Sequence, residues 1–325
     1  MIWFLTCKRP RRFPPVKKLA LSASMLLALT ACSSSPDAPT PPATSAGLSV
    51  GQPDGTQIVV PRNPRKVVSF DFGSVDTLVA LGLGDRIAAT PSGVPAYLQS
   101  SLPARADAGS MKEPDHAALR RLNPDVIMIT GRQGEEGQAL AKIAPTLDMS
   151  INARDYLSGF EHNVLTLGSM FDKLPEAQQQ LRVMAAKIGQ AHSRVANSGR
   201  RTLVLTHNAG NFSPTEQPLI YSVLQAPRAL PAPPAPKPGE PRQRPQPVDL
   251  EQVLAADPQV IFIIDRSAAI GAEPLSSEAL RASPLSRTSA GREGRIVYLT
   301  PALWYLSGGG LLSMSLQLDE AAAAY

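Results

Sequence analysis

One apolar motif that ends in an arginine occurs twice in the chain. The first copy reads LNPDVIMITGRQ at residues 122–133, and the second reads ADPQVIFIIDRS at residues 256–267. In both copies the arginine stands eight residues after a proline, Arg132 after Pro124 and Arg266 after Pro258. Short apolar runs of this kind are typical of strands in a parallel sheet that is buried on both faces. The chain therefore has either two halves with the same order of elements or two strands that are similar by chance.

A second pair of segments supports two similar halves. PRKVVSFD at residues 64–71 and GRRTLVLTH at residues 199–207 each place a strand-like run after basic residues. Arg65 and Arg201 in these segments are 136 positions apart, and the prolines of the two motifs are 134 positions apart. Helical segments alternate with these strands, which is the pattern of parallel sheets with helices on both sides. We therefore predict an α/β fold of two lobes, each with a parallel sheet flanked by helices.

The segment between the lobes predicts a single long helix. Residues 175–197 begin with a proline, which is suited to the first helical turn, and would span about 35 Å as a helix. Apolar residues recur there at steps of three and four, at Leu181, Met184, Ile188, Ala191 and Val195. We expect an N-terminal lobe at residues 56–152, linker helices at 153–198 and a C-terminal lobe at 199–325. Residues 226–247, rich in proline, are expected to form an extended insertion in the second lobe.

The first 55 residues are predicted to be a targeting segment and a tether. Residues 1–31 carry six basic residues and no acidic one, followed by a short apolar run, which is typical of a signal peptide. The sequence LTAC resembles a lipobox, so we expect a lipid on Cys32. Residues 32–55 are rich in proline, serine and threonine and are expected to tether the protein to a membrane, in the periplasm or at the cell surface.

The charge and the cysteines exclude two classes of function. Although the formal net charge is +5, the chain after residue 31 has 26 basic and 27 acidic residues. A nucleic-acid partner requires a clustered excess of cations, so none is expected. Cys7 would leave with the signal and Cys32 would carry the lipid, so no thiol remains for disulfide or metal chemistry.

Arg132 and Arg266 are the leading candidates for ligand contacts. Each follows a predicted strand, and ligands of parallel sheets bind at the carboxyl ends of strands. A guanidinium group is permanently charged and offers paired, planar donors, so two of them facing one cleft would bind an anion with delocalised oxygen charge. In the alternative interpretation, each arginine pairs with a nearby acid such as Glu135 or Asp265.

The sequence contains no pattern that is typical of an enzyme. Its four histidines are not spaced as metal ligands, and it has neither a nucleophile elbow nor a phosphate loop. His207 ends a predicted strand beside the proposed cleft and is a further candidate contact. SGGGLL at residues 307–312 is expected to open the last helix, where backbone amides are able to bind an anion, and a simple tight turn is the alternative. We therefore expect a binding protein without catalytic activity.

Several longer segments resemble one family of binding proteins. They read VPRNPRKVVSFDFGSVDTLVALGL, KEPDHAALRRLNPDVIMITGRQ, IAPTLD, LGSMF, VIFIIDRSAAIG and IVYLTPALWYLSGGGLLS. Over residues 56–320 the chain resembles the substrate-binding lipoproteins of ferric-siderophore ABC importers, specifically the enterochelin type among class III periplasmic binding proteins. The resemblance implies two α/β lobes joined by one long helix, with a shallow cleft for iron(III) complexes of catecholate siderophores.

The resemblance also implies roles for individual residues. Arg132 and Arg266 match arginines that contact the anionic catecholate oxygens. Tyr305 matches a tyrosine that ligates iron when the siderophore leaves coordination sites open, and Trp304 and Tyr305 are expected to pack against the chelate. Glu113 matches the carboxylate that docks onto an arginine of the permease.

Two positions depart from the family pattern. Glu216 and Gln217 stand where a third pocket arginine is expected. A histidine iron ligand that the family often carries falls near Arg244, within the proline-rich segment. Arg228, Arg242 and Arg244 are therefore candidates to supply the missing positive charge.

Together these observations predict a monomeric, lipid-anchored protein that captures a ferric siderophore and delivers it to an ABC importer. The iron chelate is its cargo, and no cofactor of its own is expected. One alternative is a sensor or interaction lipoprotein whose ligand site has decayed. Another is a binder of a different chelate such as haem.

Overall fold

The structure, a computed structural model, describes residues 47–232 and 246–325. Its strands are β1 Leu48–Gly51, β2 Gln57–Val60, β3 Val67–Ser69, β4 Ile87–Thr90, β5 Ala106–Asp107, β6 Val126–Ile129, β7 Thr146–Asp148, β8 Thr202–Asn208, β9 Asn211–Pro214, β10 Val260–Asp265 and β11 Ile296–Leu299. Its α-helices are α1 Phe72–Ala80, α2 Ala96–Gln99, α3 His116–Leu122, α4 Glu136–Leu140, α5 Tyr156–Met170, α6 Leu174–Ser198, α7 Leu250–Ala256, α8 Arg266–Ala269, α9 Ser277–Ala282, α10 Ser289–Arg292, α11 Pro301–Tyr305 and α12 Leu311–Ala322.

Some predictions concern parts of the chain outside these residues. The signal peptide, the lipid site Cys32, Arg242 and Arg244 lie outside the described residues and stay predictions. Of the helices in the described part of the chain, none is long and apolar enough to cross a membrane.

The first lobe is built on a five-stranded parallel sheet in the order β5-β4-β3-β6-β7. Successive residues of β6 face opposite sides of this sheet. Val126 and Met128 pack into the core that continues toward the second lobe, whereas Ile127 and Ile129 pack into a core on the other face. Because helices cover both faces, the motif strand carries an unbroken apolar run, and the predicted parallel sheet is confirmed.

The second lobe contains a four-stranded sheet in the order β11-β10-β8-β9. Strands β11, β10 and β8 are parallel, and the side chains of β10 again alternate between two cores. In both lobes the motif strand pairs with the strand that opens the lobe, β6 with β3 and β10 with β8. The two copies of the motif therefore occupy equivalent positions.

Two hairpins are additions that the sequence patterns do not predict. Strand β9 runs antiparallel to β8, and β1 pairs with β2 in a separate antiparallel sheet. The β8–β9 connection consists of Ala209 and Gly210, which have φ values of 48° and 80°. A two-residue turn with positive φ at both positions matches the twist of a hairpin, so the chain turns back locally instead of crossing to a parallel neighbour.

The predicted long helix is confirmed as α6, a helix of 25 residues that ends at Gly199, where φ is 59°. Met184, Ala191 and Val195 from the predicted apolar stripe are buried, and Leu181 and Ile188 are half-buried against the same core. Helices α5 and α12 pack along α6, and one continuous core contains residues of both sheets and of these helices. The site lies at the carboxyl ends of β6 and β10, which this shared core holds in place.

Candidate functional site

The two motif arginines converge on a single tyrosine. Arg132 lies in the loop that follows β6, and Arg266 is the first residue of α8, directly after β10. Their guanidinium carbons lie 5.5 Å and 5.7 Å from the centre of the Tyr305 ring. Both cations therefore stand at carboxyl ends of strands in different lobes and face the same small region, as the repeated motif predicts.

Hydrogen bonds orient both guanidinium groups without neutralising them. Arg266 donates from Nε to the Tyr305 hydroxyl at 2.8 Å and from Nη1 to Oδ1 of Asn208 at 2.6 Å. Arg132 donates from Nη2 to the backbone carbonyl of Tyr305. Within residues 47–232 and 246–325, neither arginine forms an ion pair with a carboxylate. Both positive charges are therefore available to an anionic ligand.

The alternative in which Asp265 neutralises Arg266 is wrong in this structure. Asp265 is fully buried and accepts hydrogen bonds from His207 at 2.9 Å, from the Leu275 amide at 2.6 Å and from the Tyr298 hydroxyl at 2.7 Å. Burial alone would raise the pKa of Asp265, but these hydrogen bonds hold it below its ordinary value. The hydrogen-bond partners of the Asp265 carboxylate are thus residues of the second lobe other than Arg266.

The prediction that His207 contacts the ligand is corrected by the same network. His207 is only 3% exposed, and both ring nitrogens have partners. Nε2 accepts a hydrogen bond from the Gly210 amide at 3.1 Å, so Nδ1 carries the proton that it donates to Asp265. His207 therefore stabilises the β8–β9 turn and the end of β10 instead of lining the cleft.

Trp304 is also placed differently from the prediction. Its side chain is 4% exposed and belongs to the core, and its indole nitrogen donates to Glu320 at 2.7 Å. Tyr305, the next residue, is half-buried, and the centre of its ring lies 5.5 Å and 5.7 Å from the guanidinium carbons of the two arginines. Of the two aromatic residues, only Tyr305 presents its ring to the site.

An open cleft of about 450 Å³ lies beside Arg132, with walls from both lobes. Arg132 and Ser150 lie on the first-lobe side, and Gln217 and residues 306–309 lie on the second-lobe side. Tyr305 directly precedes the lining residues 306–309 in the chain, but neither Tyr305 nor Arg266 lines this cleft. In the part of the chain that the structure describes, no group of histidine, cysteine and acidic side chains is arranged to hold a metal ion.

The amides at the start of the last helix already have an internal acceptor. SGGGLL does open α12, but the amides of Leu312 and Ser313 donate to the buried carboxylate of Asp76 at 3.1 Å and 3.0 Å. A β-carbon at Gly310 would lie 2.1 Å from Oδ1 of Asp76, which explains the glycine at this close approach. Burial raises the pKa of Asp76 to about 7. The helix end is therefore not a ligand anion site.

Arg228 does not replace the missing third arginine. Its two terminal nitrogens each donate to one oxygen of Glu216 at 2.6 Å, and its guanidinium carbon lies 3.8 Å from the centre of the Tyr221 ring. A bidentate pair of this kind satisfies both charges. Glu216, which stands where the family has an arginine, is thus paired with Arg228. The hypothesis that Arg228 supplies charge to the ligand is therefore corrected.

Glu113 is exposed, and its loop is joined to the loop of Arg132. The side-chain amide of Gln133 donates to the carbonyl of Met111 at 2.6 Å. His116 and Glu136 form a second link at 2.6 Å. The loop that carries the candidate docking residue and the loop that carries a candidate ligand contact are therefore parts of one hydrogen-bonded unit.

Three residues that the sequence patterns do not single out belong to the site. Asn208 orients Arg266, and Asp71 and Gln317 line the cleft. Asn208 ends β8, and Asp71 follows β3, so the rule that ligands bind at the carboxyl ends of parallel strands could have found both. Gln317 lies within α12, and no local signal marks it.

Two α/β lobes, one long connecting helix and a cleft at the strand ends define a two-lobed binding protein. The chain belongs to the periplasmic binding protein family, whose model matches residues 67–303. This membership confirms the predicted fold and agrees with the prediction of a binding protein rather than an enzyme.

Known relatives match the chain over most of its length. It is 34% identical to the petrobactin-binding protein YclQ of Bacillus subtilis over 263 residues, which cover 80% of this chain and 82% of that protein. It is 26% identical to the ferric-anguibactin-binding protein FatB of Vibrio anguillarum over 280 residues, which cover 83% and 85% of the two chains.

Solved structures show the same fold. The crystal structure of YclQ superimposes with a TM-score of 0.78 at 32% identity and covers 86% of this chain and 98% of its own. The iron-uptake substrate-binding protein PiuA of Streptococcus pneumoniae also gives a TM-score of 0.78, at 28% identity, covering 86% and 99%.

Proposed function

We propose that this protein captures a ferric siderophore with anionic, catecholate-type oxygens outside the cytoplasm and delivers it to an ABC importer. The observation that carries the proposal is the convergence of Arg132 and Arg266 on Tyr305, each without a carboxylate partner in the described part of the chain. Iron chelates of catecholates carry delocalised negative charge on oxygen, which guanidinium groups bind well. The ligands named for YclQ and FatB support this reading.

Tyr305 is proposed to contact the chelate directly. Its hydroxyl is bonded to Arg266 at 2.8 Å, and a phenolate oxygen is a hard donor suited to iron(III). A chelate that leaves iron coordination sites open would exchange the Arg266 hydrogen bond for a bond to iron. A coordinatively saturated chelate would instead pack against the ring and bind both guanidinium groups.

A ligand panel tests this function. The purified protein is titrated by fluorescence quenching with ferric bis-catecholate, ferric tris-catecholate, a neutral ferric trihydroxamate and haem. We expect a Kd below about 1 μM for at least one catecholate and binding at least tenfold weaker for the neutral hydroxamate. Tightest binding to haem would support the alternative chelate, and binding of none would support a lipoprotein with a decayed ligand site.

Glu113 is proposed to dock onto the permease of the importer. It is exposed on a loop outside the cleft, and a surface carboxylate is suited to pair with a permease cation. Uptake of the iron-55 chelate is measured in cells that carry Glu113→Gln. We expect reduced uptake with an unchanged affinity of the purified protein for the chelate, and unchanged uptake would contradict the docking role.

Cys32 is proposed to carry the lipid that anchors the protein. Cys32→Ser should move the protein from the membrane fraction to the soluble extracytoplasmic fraction and abolish labelling by radioactive palmitate. A variant that stays labelled and membrane-bound would contradict the anchor.

A further inference from the structure

The inner wall of the cleft contains a buried acceptor with no donor. Gln317 is 2% exposed and lines the cleft, and its Nε2 donates to the carbonyl of Leu303 at 3.0 Å. Its Oε1 is buried and has no hydrogen-bond partner among residues 47–232 and 246–325. An unsatisfied buried acceptor costs about 1–3 kcal/mol, and such groups are rare in folded proteins. Because Gln317 lines the cleft, this acceptor belongs to the cleft wall and is open to a donor from water or from a ligand.

A carboxylate lines the same cleft. Oδ2 of Asp71 accepts from the amide and the hydroxyl of Ser74 at 2.8 Å and 2.7 Å, but Oδ1 has only a long contact of 3.3 Å with the Gly73 amide. Burial raises the pKa of Asp71 above its ordinary value, against the hydrogen bonds from Ser74 and Gly73 and the charge of Arg132. A cationic donor beside Oδ1 would relieve this cost of burial.

Arg132 does not fill this role in the structure. Its Nη2 donates to the Tyr305 carbonyl, and it forms no ion pair with Asp71. Gly308, where φ is 130°, lies next to Gln317 and Tyr156 in the wall of the cleft. A β-carbon there would lie 3.6 Å from Nε2 of Gln317 and 3.7 Å from the hydroxyl of Tyr156.

Asp71 and Gln317 line the same cleft as Arg132 and add two acceptors beside its cation. We infer that Asp71 and Gln317 form a second subsite, which receives a protonated amine of the same ligand whose iron-binding oxygens lie on Arg132 and Arg266. An ammonium group satisfies a carboxylate and an amide oxygen together, since it offers both charge and several donors. This inference rests on the proposed function and narrows it to chelates that carry both an anionic iron centre and an amine.

Two ferric bis-catecholates of equal length test the subsite. One has a protonated secondary amine in its linker, and the other has a methylene group at that position. We expect the unmodified protein to bind the amine chelate at least tenfold more tightly. In Asp71→Asn this preference should fall below threefold, while the affinity for the methylene chelate changes less than threefold. Asparagine also caps helices well, so α1 is retained.

Glu135→Gln is the matched control, because it removes an exposed negative charge next to Arg132 without removing an acceptor from the cleft. The control should keep the full preference for the amine chelate. The inference is overturned if the unmodified protein binds both chelates equally, or if Asp71→Asn changes both affinities by the same factor. Binding of neither chelate would contradict the proposed function itself, whereas equal and tight binding of both would contradict only the amine subsite.

Discussion

Replacing Arg266 by glutamine is expected to remove one of the two charges that hold the ligand. The guanidinium group is half-buried and is oriented by hydrogen bonds of 2.6 Å to Asn208 and 2.8 Å to Tyr305. A hydrogen bond to a charged group contributes about 1.5–3 kcal/mol, and 1.4 kcal/mol corresponds to a tenfold change in affinity. Arg266→Gln should therefore weaken binding of a ferric catecholate roughly 10- to 150-fold.

The assay is a fluorescence titration at about 50 mM and about 300 mM salt. Because salt screens partly exposed charges, the affinity of the unmodified protein should fall with salt more steeply than that of the variant. The matched control is Glu216→Gln combined with Arg228→Gln, which removes an arginine whose charge is already satisfied by its partner. We expect the control to bind within about threefold of the unmodified protein.

A folded Arg266→Gln protein that binds the chelate within about twofold of the unmodified protein would show that Arg266 does not hold the ligand. An equal loss of affinity in the control, which removes a cation together with its partner anion and leaves the net charge unchanged, would have the same meaning, since the loss would then come from a structural change in the lobe and not from the cation of Arg266.

Three further predictions address neighbouring residues. Tyr305→Phe should weaken a chelate with open iron sites about tenfold or more and a saturated chelate less than threefold, and equal effects on both would exclude iron ligation. His207→Ala removes the Nδ1 hydrogen bond to the buried carboxylate of Asp265 and should lower the free energy of unfolding by about 1.5–3 kcal/mol in urea denaturation. A stable variant with lost chelate affinity would instead restore His207 as a ligand contact. Since burial raises the pKa of Asp76 from 3.8 to about 7 in the folded protein, the folded state binds this proton more tightly than the unfolded state. Stability therefore falls as the pH rises from about 4 to about 7 and levels off above that. The unmodified protein should lose about 2–3 kcal/mol between pH 5 and pH 8 relative to Asp76→Asn, and parallel pH profiles would contradict this.

The repeated motif predicts the main features of the fold because its physical basis is local. An apolar run with a following arginine is enough to indicate a buried parallel strand and a cation at its carboxyl end, and α6 follows from one apolar stripe. The hairpin of β9 depends on two residues with positive φ, Ala209 and Gly210, and neither belongs to a strong turn signal.

The roles of polar residues in the site could be predicted only in part, because their partners are distant in sequence. The position of His207 at the end of a strand indicates an exposed side chain. The structure shows that His207 is buried because it bonds to Asp265, which is 58 residues away in the sequence. Trp304 is buried in the core, where its indole nitrogen donates a hydrogen bond to Glu320. The unpartnered oxygen of Gln317 depends on how α12 lies against the cleft, which no periodicity in the helix reveals.

The most direct test of the two-arginine site is a crystal structure of the protein with a bound ferric catecholate, with the iron located by its anomalous signal. We expect one iron peak in the cleft beside Tyr305, with the guanidinium groups of Arg132 and Arg266 both on the chelate oxygens. An iron peak outside the cleft, or a chelate in the cleft that neither arginine contacts, would contradict it.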